Sequence, residues 1–319
     1  MNRLLRDTAF FTENMVYQPG TNLFAALHEL KKIKPFVSLK LCSAQPSSKD
    51  EQPTLTPASG LAIITYVIAG EATYSDSTGK QGVLKKDGWA WVISGSGILH
   101  SIEPATPDYF AVQVCIALSP ALENSPPQSA YQLPAQTSTS IPAPATTSQI
   151  PSIQKAHDPV QVLMGWHGHK RSEFAAPSLV NYFVVRLNAN QQWRYELPLN
   201  HAYAWFALLN GEVSVNDNAD TNFFTTPSHP VGIYERPIDS INFTAMTDTI
   251  LVLGSSVEFD YDLVFQKNSV HTSIESLQVG LSGIYNLYNG HSPKKPVRTS
   301  TPIAQAQNAK TQLPVALKD

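Results

Sequence analysis

The sequence predicts an all-β protein made of two antiparallel β-barrels, with one helix close to its C-terminal end. Three observations carry this prediction. Short segments rich in β-branched and aromatic residues alternate with Gly, Asn and Asp turns, which is typical of a sandwich or barrel. One hairpin pattern recurs in the second half of the chain. An uncharged segment rich in Ser, Thr, Pro, Ala and Gln separates the two halves.

The first half carries the clearest strand signals. Residues 63–74 are rich in β-branched and aromatic side chains, and the turn signal Asp-Ser-Thr-Gly follows at 76–79. Large apolar residues alternate with other residues over 89–93 and again over 110–116. Such alternation indicates strands with one buried face, so we expect these segments to form the first barrel.

The second half repeats part of this pattern. Val-Ile-Ala-Gly-Glu at 67–71 recurs as Leu-Leu-Asn-Gly-Glu at 208–212, and an acidic turn follows each copy. Residues 182–187 alternate like a further strand. A repeat of this kind, combined with the central segment, favours a duplicated barrel.

Composition divides the chain into domains. Between 125 and 152, 24 of 28 residues are Ser, Thr, Pro, Ala or Gln, and such a segment cannot bury enough apolar surface to offset its ordering entropy. We therefore predict an N-terminal extension over 1–23, a first domain over 24–124, a disordered linker over 125–152, a second domain over 153–290 and a disordered tail over 291–319.

The helix is predicted from a capping pattern and an apolar stripe. Thr272 and Glu275 have the spacing of a capping box, and His271 is interpreted as part of this cap. Apolar residues then recur on one helical face at Ile274, Leu277, Leu281 and Ile284. A shorter helix is predicted over 23–34, with Pro35 closing it.

Composition also excludes some classes of partner. The net charge is −3 and only 15% of residues are charged, so the chain lacks the basic surface that binds nucleic acid. No apolar run reaches 18 residues, which predicts no membrane span and a cytoplasmic location.

Cys42 and Cys115 lie in apolar, strand-like stretches and are interpreted as buried thiols. The alternative of a single disulfide between them stays open.

Residues 60–101 resemble the N-terminal cupin domain of the pirin family. The strand ending Thr-Tyr-Val, the Gly-Glu hairpin at 70–71, the Asp-Ser-x-Gly turn and the run Gly-Ser-Gly-Ile-Leu-His-Ser at 95–101 follow the family's order. Segments of the second half, including 269–273, also fall in that order. The resemblance covers roughly 24–287 without the linker, and the family's Gly-, His- and aromatic-rich N-terminal segment is not recognisable.

The resemblance implies a fold and a metal site. Pirins are bicupins, with two antiparallel barrels packed face to face, and three His and one Glu hold an iron ion in the first barrel. Some members oxidise quercetin, and others act as metal-dependent partners of transcription factors. Aligned on this chain, the four ligand positions are Thr56, Ala58, His100 and Ile102.

This ligand set predicts that the family iron is absent. A non-haem iron site needs several nitrogen and oxygen ligands that converge on one point, and only His100 remains of four. Glu103 lies next to the lost Glu position but has the wrong parity for a strand. We therefore assign no catalytic residue, no metal ligand and no cofactor, and interpret Thr56, Ala58, His100 and Ile102 as the lining of a vestigial cavity.

Other histidines give weaker signals. His167 and His169 have the look of a metal pair but are interpreted as part of a solvated loop, since no third ligand is evident nearby. In the second barrel the equivalent ligand positions hold Leu197 and Leu199, close to His201, so that barrel is predicted to lack ligands as well.

Three functions remain open. The first is a non-catalytic pirin-like bicupin that binds an unknown small molecule or protein partner, without nucleic acid or membrane contact. The alternative is a metal-dependent, quercetinase-like dioxygenase with a site rebuilt from His100, Glu103 and His28. The third is a structural paralogue without a specific ligand.

Overall fold

The computed structural model describes eight stretches of the chain, which are 9–11, 33–44, 55–132, 159–174, 176–215, 223–225, 231–235 and 238–290. The predicted tail over 291–319 and most of the predicted extension over 1–23 lie outside these residues. The short helix predicted over 23–34 also lies outside them, except for its last two residues, which belong to a turn.

In the described part, the first domain consists of nine strands in two antiparallel sheets. The strands are β2 (Phe36–Ser43), β3 (Thr56–Ala58), β4 (Leu61–Ala69), β5 (Glu71–Asp76), β6 (Gln81–Lys85), β7 (Trp89–Ile93), β8 (Ile98–Pro104), β9 (Phe110–Ala117) and β10 (Gln128–Gln132). One sheet has the order β10-β7-β4-β9-β2 and the other has the order β3-β8-β5-β6.

The second domain repeats this arrangement with a six-stranded and a four-stranded sheet. Its strands are β1 (Ala9–Phe11), β11 (Val160–Met164), β14 (Val180–Leu187), β15 (Gln192–Glu196), β16 (Tyr203–Asn210), β17 (Val213–Val215), β18 (Phe223–Thr225), β19 (Val231–Glu235), β20 (Ser240–Ala245) and β21 (Thr249–Ser256). The larger sheet runs β1-β19-β16-β21-β14-β11 and the smaller runs β15-β20-β17-β18. A small hairpin of β12 (Trp166–His167) and β13 (Lys170–Arg171) follows β11.

The all-β prediction is confirmed, but each domain is a jelly-roll-like sandwich rather than a closed barrel. Within the described residues, no hydrogen-bonded ladder joins the edges of the two sheets in either domain. Apolar side chains between the sheets hold each pair together instead, because both inner faces are hydrophobic. We call these the N-terminal and the C-terminal sandwich.

The two sandwiches pack face to face through their larger sheets. The shared apolar layer includes Ile64, Tyr66, Trp91, Tyr182 and Trp205. A polar cluster at its edge links the domains, since Arg186 donates to the Tyr66 hydroxyl at 3.0 Å and to the Asp87 carboxylate at 2.6 Å. Strands with both faces buried result, which explains the nearly continuous burial of β4.

The repeated Gly-Glu hairpins occupy equivalent places. Gly70 separates β4 from β5 and Gly211 separates β16 from β17, and both glycines have positive φ. A side chain at Gly70 would approach the Thr106 hydroxyl to 2.5 Å, so this turn requires glycine on two grounds. The internal repeat thus marks the same structural corner in each sandwich.

The predicted linker begins too early in the chain. Residues 128–132, assigned to the linker over 125–152, form β10 and pair with the edge strand β7. Backbone hydrogen bonds along that edge stabilise a segment with few apolar side chains, and Tyr131 adds a ring stacked on Tyr74 at 3.6 Å. The first domain therefore continues to at least Gln132, and residues 133–158 lie outside the described part.

After the second sandwich the chain returns to the first. Strands β22 (Val264–Gln266) and β23 (Ser269–His271) form a hairpin, and helix α1 (Ile274–Tyr288) follows. Ser273, not Thr272, is the N-cap and accepts from the Ser276 amide at 3.1 Å. The capping-box assignment was therefore off by one residue, because the Thr272 hydroxyl donates to Glu123 instead.

The apolar face of α1 is also shifted from its predicted position. Leu277, Gly280 and Ile284 are buried, whereas Leu281 is half-buried and Ile274 is exposed. Gly280 packs so closely on the first domain that a side chain there would come within 2.6 Å of His271.

Among the described residues, the structure contains no helix with the length and hydrophobicity of a membrane span.

Candidate functional site

The predicted site lies on the inner face of the smaller sheet of the N-terminal sandwich. Thr56 of β3 pairs with His100 of β8, and His100 pairs on its other side with Asp76 of β5. Side chains at paired positions point to the same face, so the three side chains form one row. Tyr74 and Ile102 form the next pair along the same face.

A cavity of about 550 Å³ opens in front of this row. All four sequence-predicted residues, Thr56, Ala58, His100 and Ile102, line it. Its other walls come from β2, β4, β9 and the β22–β23 hairpin, and the residues concerned include Val37, Ser38, Lys40, Leu61, Ile63, Gln113, Cys115, Phe265 and Val270.

The four family positions do not fit an iron ion. Ala58 has no donor atom and is fully buried, Ile102 is apolar, and Thr56 supplies only a neutral hydroxyl beside the imidazole of His100. Among the described residues, no group of three or more His, Cys, Asp or Glu side chains is placed to hold a metal ion. The arrangement instead forms a pocket with one imidazole in its wall.

His100 is held in a dry environment. It is only 7% exposed, and its Nδ1 atom has no hydrogen-bond partner in the described part of the chain. Burial lowers the pKa of His100 to about 4, although the nearby Asp76 carboxylate acts in the opposite direction. The ring is therefore neutral at pH 7, with a polar atom free to bond to a molecule in the cavity.

Asp76 is a residue beside the candidate site that sequence reasoning missed. The turn pattern around it is visible in the sequence, but its inward position follows only from the β5–β8 register. Its carboxylate accepts from the Thr78 amide at 2.8 Å and from the Tyr131 hydroxyl at 2.7 Å. Burial tends to raise the pKa of Asp76, but hydrogen bonds from Thr78, Ser129 and Tyr131 outweigh it and hold the pKa below its usual range.

Lys40 is a second residue that the sequence did not identify. It lies on β2 opposite Gln113 of β9 and lines the cavity together with Gln113 and Cys115. A β-bulge between Phe36 and Ser38 sets this orientation, because it turns Ser38 and Lys40 inward while Leu39 packs on the second domain.

The residues of the alternative rebuilt site are not brought together. Glu103 lies on the opposite face of β8 from His100, and its carboxylate accepts from the Ser101 hydroxyl at 2.8 Å. Ser101 and Glu103 border the cavity rim but also line a shallow hollow on the outer face of the sheet. His28 lies outside the described residues.

A buried polar cluster anchors the β22–β23 hairpin beside the cavity. The Ser59 hydroxyl is 2.9 Å from His271 Nε2 and donates to the Ser269 hydroxyl at 2.9 Å. On the other side of the ring, His271 Nδ1 is 3.6 Å from the Glu123 carboxylate, which also accepts from the Thr272 backbone amide. Side chains of this cluster are almost fully buried, so it joins chain segments rather than meeting a substrate. His271 therefore has a structural role. It acts through contacts with Ser59 and Glu123, which are distant in the sequence, and not only as part of the helix cap.

The C-terminal sandwich has a second, smaller cavity of about 370 Å³, bordered by Trp166, Asn181 and His201. His201 Nδ1 is 2.7 Å from the Ser255 hydroxyl, which is in turn 2.6 Å from the Tyr195 hydroxyl. The equivalents of the ligand positions, Leu197 and Leu199, contribute no donor: Leu197 is buried and Leu199 is 93% exposed.

The solvated-loop interpretation of His167 and His169 is wrong for the first of the two. His167 belongs to β12 and is half-buried against the rings of Phe183 and Trp193. His169 is exposed in the adjoining turn. Aromatic packing from the sandwich core accounts for the burial of His167, and sequence spacing does not reveal such a contact.

The cysteines are both free. Cys115 is buried beside the cavity and Cys42 is half-buried, and burial raises the pKa of both thiols. Their interpretation as inert apolar side chains agrees with this environment, and the open possibility of a disulfide between them is excluded by the structure.

Comparisons with known proteins find sequence similarity to pirins. The family model described as Pirin matches residues 18–115. A pirin-like protein of Solanum lycopersicum is 26% identical over 203 residues, which is 63% of this chain and 62% of that protein. A putative pirin-like protein of Arabidopsis thaliana is 24% identical over 65% of this chain and 69% of its own length. The chain thus matches a little under two thirds of the tomato protein.

Solved structures share the two-domain fold. A quercetin 2,3-dioxygenase from Acinetobacter baumannii superposes with a TM-score of 0.68 at 19% identity, over 89% of this chain and 96% of that one. The bacterial pirin YhhW of Escherichia coli, solved with nickel(II), gives a TM-score of 0.53 at 14% identity, over 79% and 92% of the two chains. Residues 18–115 therefore match the Pirin family model, and the two-domain fold of the chain is similar to the folds of these solved structures.

Proposed function

We propose that this protein binds a small organic molecule in the N-terminal cavity without a metal ion, and that it is not an oxygenase. The observation that carries the proposal is a cavity of about 550 Å³ at the family site whose four ligand positions are Thr56, Ala58, His100 and Ile102. A pocket of that size, with apolar walls and a few polar atoms, has the properties of small-molecule sites.

The inner wall supports binding rather than catalysis. His100 offers one unpaired nitrogen, and Asp76 behind it is saturated by donors, so neither is arranged to pass a proton to a second group. A dioxygenase rebuilt from His100, Glu103 and His28 has less support, since Glu103 lies on the other face of β8. A protein partner, the other class predicted from the sequence, has no specific contact in its favour.

The test combines elemental analysis with a search for a co-purifying molecule. Native protein is expected to carry far less than one iron or nickel per chain, and mass spectrometry of its denatured extract to reveal a small molecule. Ile102→Trp should fill the cavity and remove that molecule. The matched control is Val83→Trp on the outer face of the same sheet, which should retain it. Stoichiometric metal with quercetin turnover, both lost in His100→Ala, would instead establish the dioxygenase.

A further inference from the structure

The N-terminal cavity contains a lysine that has no carboxylate partner among the described residues. Lys40 projects from β2 toward the interior of the sandwich and is half-buried. Within the described residues, no carboxylate forms an ion pair with it: Glu71 pairs with Lys85, and Asp87 pairs with Arg186. A half-buried ammonium group that lines a cavity attracts negative charge, so a bound anion would stabilise this arrangement.

Other charged groups around the cavity do not neutralise Lys40. Glu103 faces away from the row of His100, and Lys267 adds a second positive charge at the exposed end of the β22–β23 hairpin. Two buried carboxylates of this domain are already engaged, since Asp76 accepts from Thr78 and Tyr131 and Glu123 accepts from Thr272. The cavity therefore offers an anion more positive than negative charge.

Hydrogen-bond donors surround the same space. Ser38 lies two residues before Lys40 on β2 and is half-buried, and its buried hydroxyl bonds to no nitrogen or oxygen in the described part, although it interacts with the Cys115 thiol. Gln113 uses one amide hydrogen to donate to Thr65 at 3.1 Å, which leaves the other. From the facing sheet, the unpartnered Nδ1 of His100 can supply a third donor.

The remaining wall is apolar. Leu61, Ile63 and Val270 are buried along the cavity, and Phe265 of the hairpin covers one side of its mouth. Lys267 is exposed, so the interior of the cavity offers one half-buried cation, Lys40, with several neutral donors and an apolar wall. This combination matches a monoanion with a hydrophobic body. A phosphate ester carries about two charges, and a single half-buried lysine suits it less well.

We propose that the ligand of this cavity is an aromatic or similarly apolar monocarboxylate, with Lys40 as the residue that selects for its charge. This inference rests on the proposed function, since it assigns a ligand class to the same cavity. The lysine supplies the positive charge, and Ser38, Gln113 and His100 supply neutral hydrogen bonds to the carboxylate oxygens.

The test uses two probes of the same shape, 2-naphthoate and its neutral amide, 2-naphthamide. Calorimetric titration at pH 7.5 should show naphthoate binding to the native protein roughly tenfold or more tightly than the amide, as expected for loss of one charged hydrogen bond. Lys40→Met, which keeps chain length and apolar volume, should reduce naphthoate affinity to that of the amide and leave amide affinity unchanged. Lys85→Met on the outer face is the matched control and should bind both probes like the native protein.

Each outcome is decisive. Equal affinity for the two probes, unaffected by Lys40→Met, would overturn the monocarboxylate inference and leave the cavity as a binding site. Failure of both probes to bind the native protein would count against the inference and the proposed function together. The native protein alone shows whether naphthoate binds more tightly than naphthamide. The monocarboxylate inference can therefore be refuted even if Lys40→Met fails to fold.

Discussion

Asp76 lies directly opposite His100 in the pairing of β5 with β8, yet the imidazole stays neutral. A carboxylate this close favours the protonated ring, and burial disfavours it. Burial wins, because the oxygens of Asp76 are already engaged by Thr78 and Tyr131 and the ring is 7% exposed. The imidazole of His100 is therefore a neutral hydrogen-bond donor beside the Asp76 carboxylate, which its own hydrogen bonds hold in place.

The neutral state of His100 predicts a pH-dependent stability. Its pKa is about 4 in the folded protein and about 6.5 in the unfolded chain, so between these values only the unfolded chain takes up this proton. Stability is then lost as the pH falls from about 6.5 to about 4. His100→Gln should remove this loss, which amounts to up to about 3 kcal/mol between pH 7 and 4.

Urea unfolding at pH 7 and pH 4.5 measures this difference. His169→Gln, at an exposed turn, is the matched control and should follow the native protein. If His100→Gln lost as much stability on acidification as the native protein, the ring would not be buried in its neutral form.

A second expectation concerns the carboxylate itself. Asp76 accepts hydrogen bonds from the Thr78 backbone, the Thr78 hydroxyl and the Tyr131 hydroxyl, all of which are donors. Asp76→Asn would place an amide group against at least one of them, with an expected cost of about 1–3 kcal/mol in the free energy of unfolding. Chemical denaturation measures this cost, and Asp108→Asn, at an exposed residue, is the control. A change below about 0.5 kcal/mol would mean that this network contributes little.

The packing of α1 gives a third prediction. Ile284 is 8% exposed and lies against the turn at Gly97, so Ile284→Ala should cost about 2–4 kcal/mol as a buried deletion. The neighbouring Tyr285 is 68% exposed, and Tyr285→Ala should change stability by less than about 0.5 kcal/mol. Leu281, expected from the sequence to be buried, is half-buried. The stability lost in Leu281→Ala should therefore lie between the losses for Ile284→Ala and Tyr285→Ala. Similar losses at Ile284 and Tyr285 would show that the helix does not dock as described.

The choice of the four cavity residues came from the resemblance to pirins and not from local pattern. Thr56, Ala58, His100 and Ile102 stand at that family's ligand positions, and all four line one cavity in the structure. Strand parity did apply to Glu103, which lies on the opposite face of β8 from His100.

The other features of the site depend on pairing between strands that are distant in the sequence. A single sequence does not reveal that pairing. Asp76 meets His100 only through the register of β5 with β8. Lys40 turns inward only because of the bulge between Phe36 and Ser38, which breaks the simple alternation of β2. Tyr131 was assigned to a linker by composition, and pairing with β7 overrode that tendency.

Limited proteolysis tests the corrected domain boundary. The composition of 133–152, the segment that follows β10 in the sequence, predicts that subtilisin cuts there first. The two fragments should still elute together from a sizing column, because the apolar layer that includes Tyr66 and Trp205 is shared between the domains. First cleavage within 60–101, or separation of the fragments without denaturant, would contradict this organisation.

The most direct test of the proposal that the cavity binds no metal is to rebuild the pirin ligand set. A metal ion in this pocket must replace its hydration shell with donor atoms held by the protein, and Thr56, Ala58 and Ile102 provide at most one weak hydroxyl. Thr56→His, Ala58→His and Ile102→Glu together should create stoichiometric iron or nickel binding, measured by elemental analysis after dialysis. Ala58 is fully buried, so the triple variant should also lose about 1–3 kcal/mol from overpacking until metal is added. Adding His100→Ala to the triple variant is the control and should abolish the acquired binding. Stoichiometric iron in the unaltered protein, removed by His100→Ala alone, would refute the metal-free cavity.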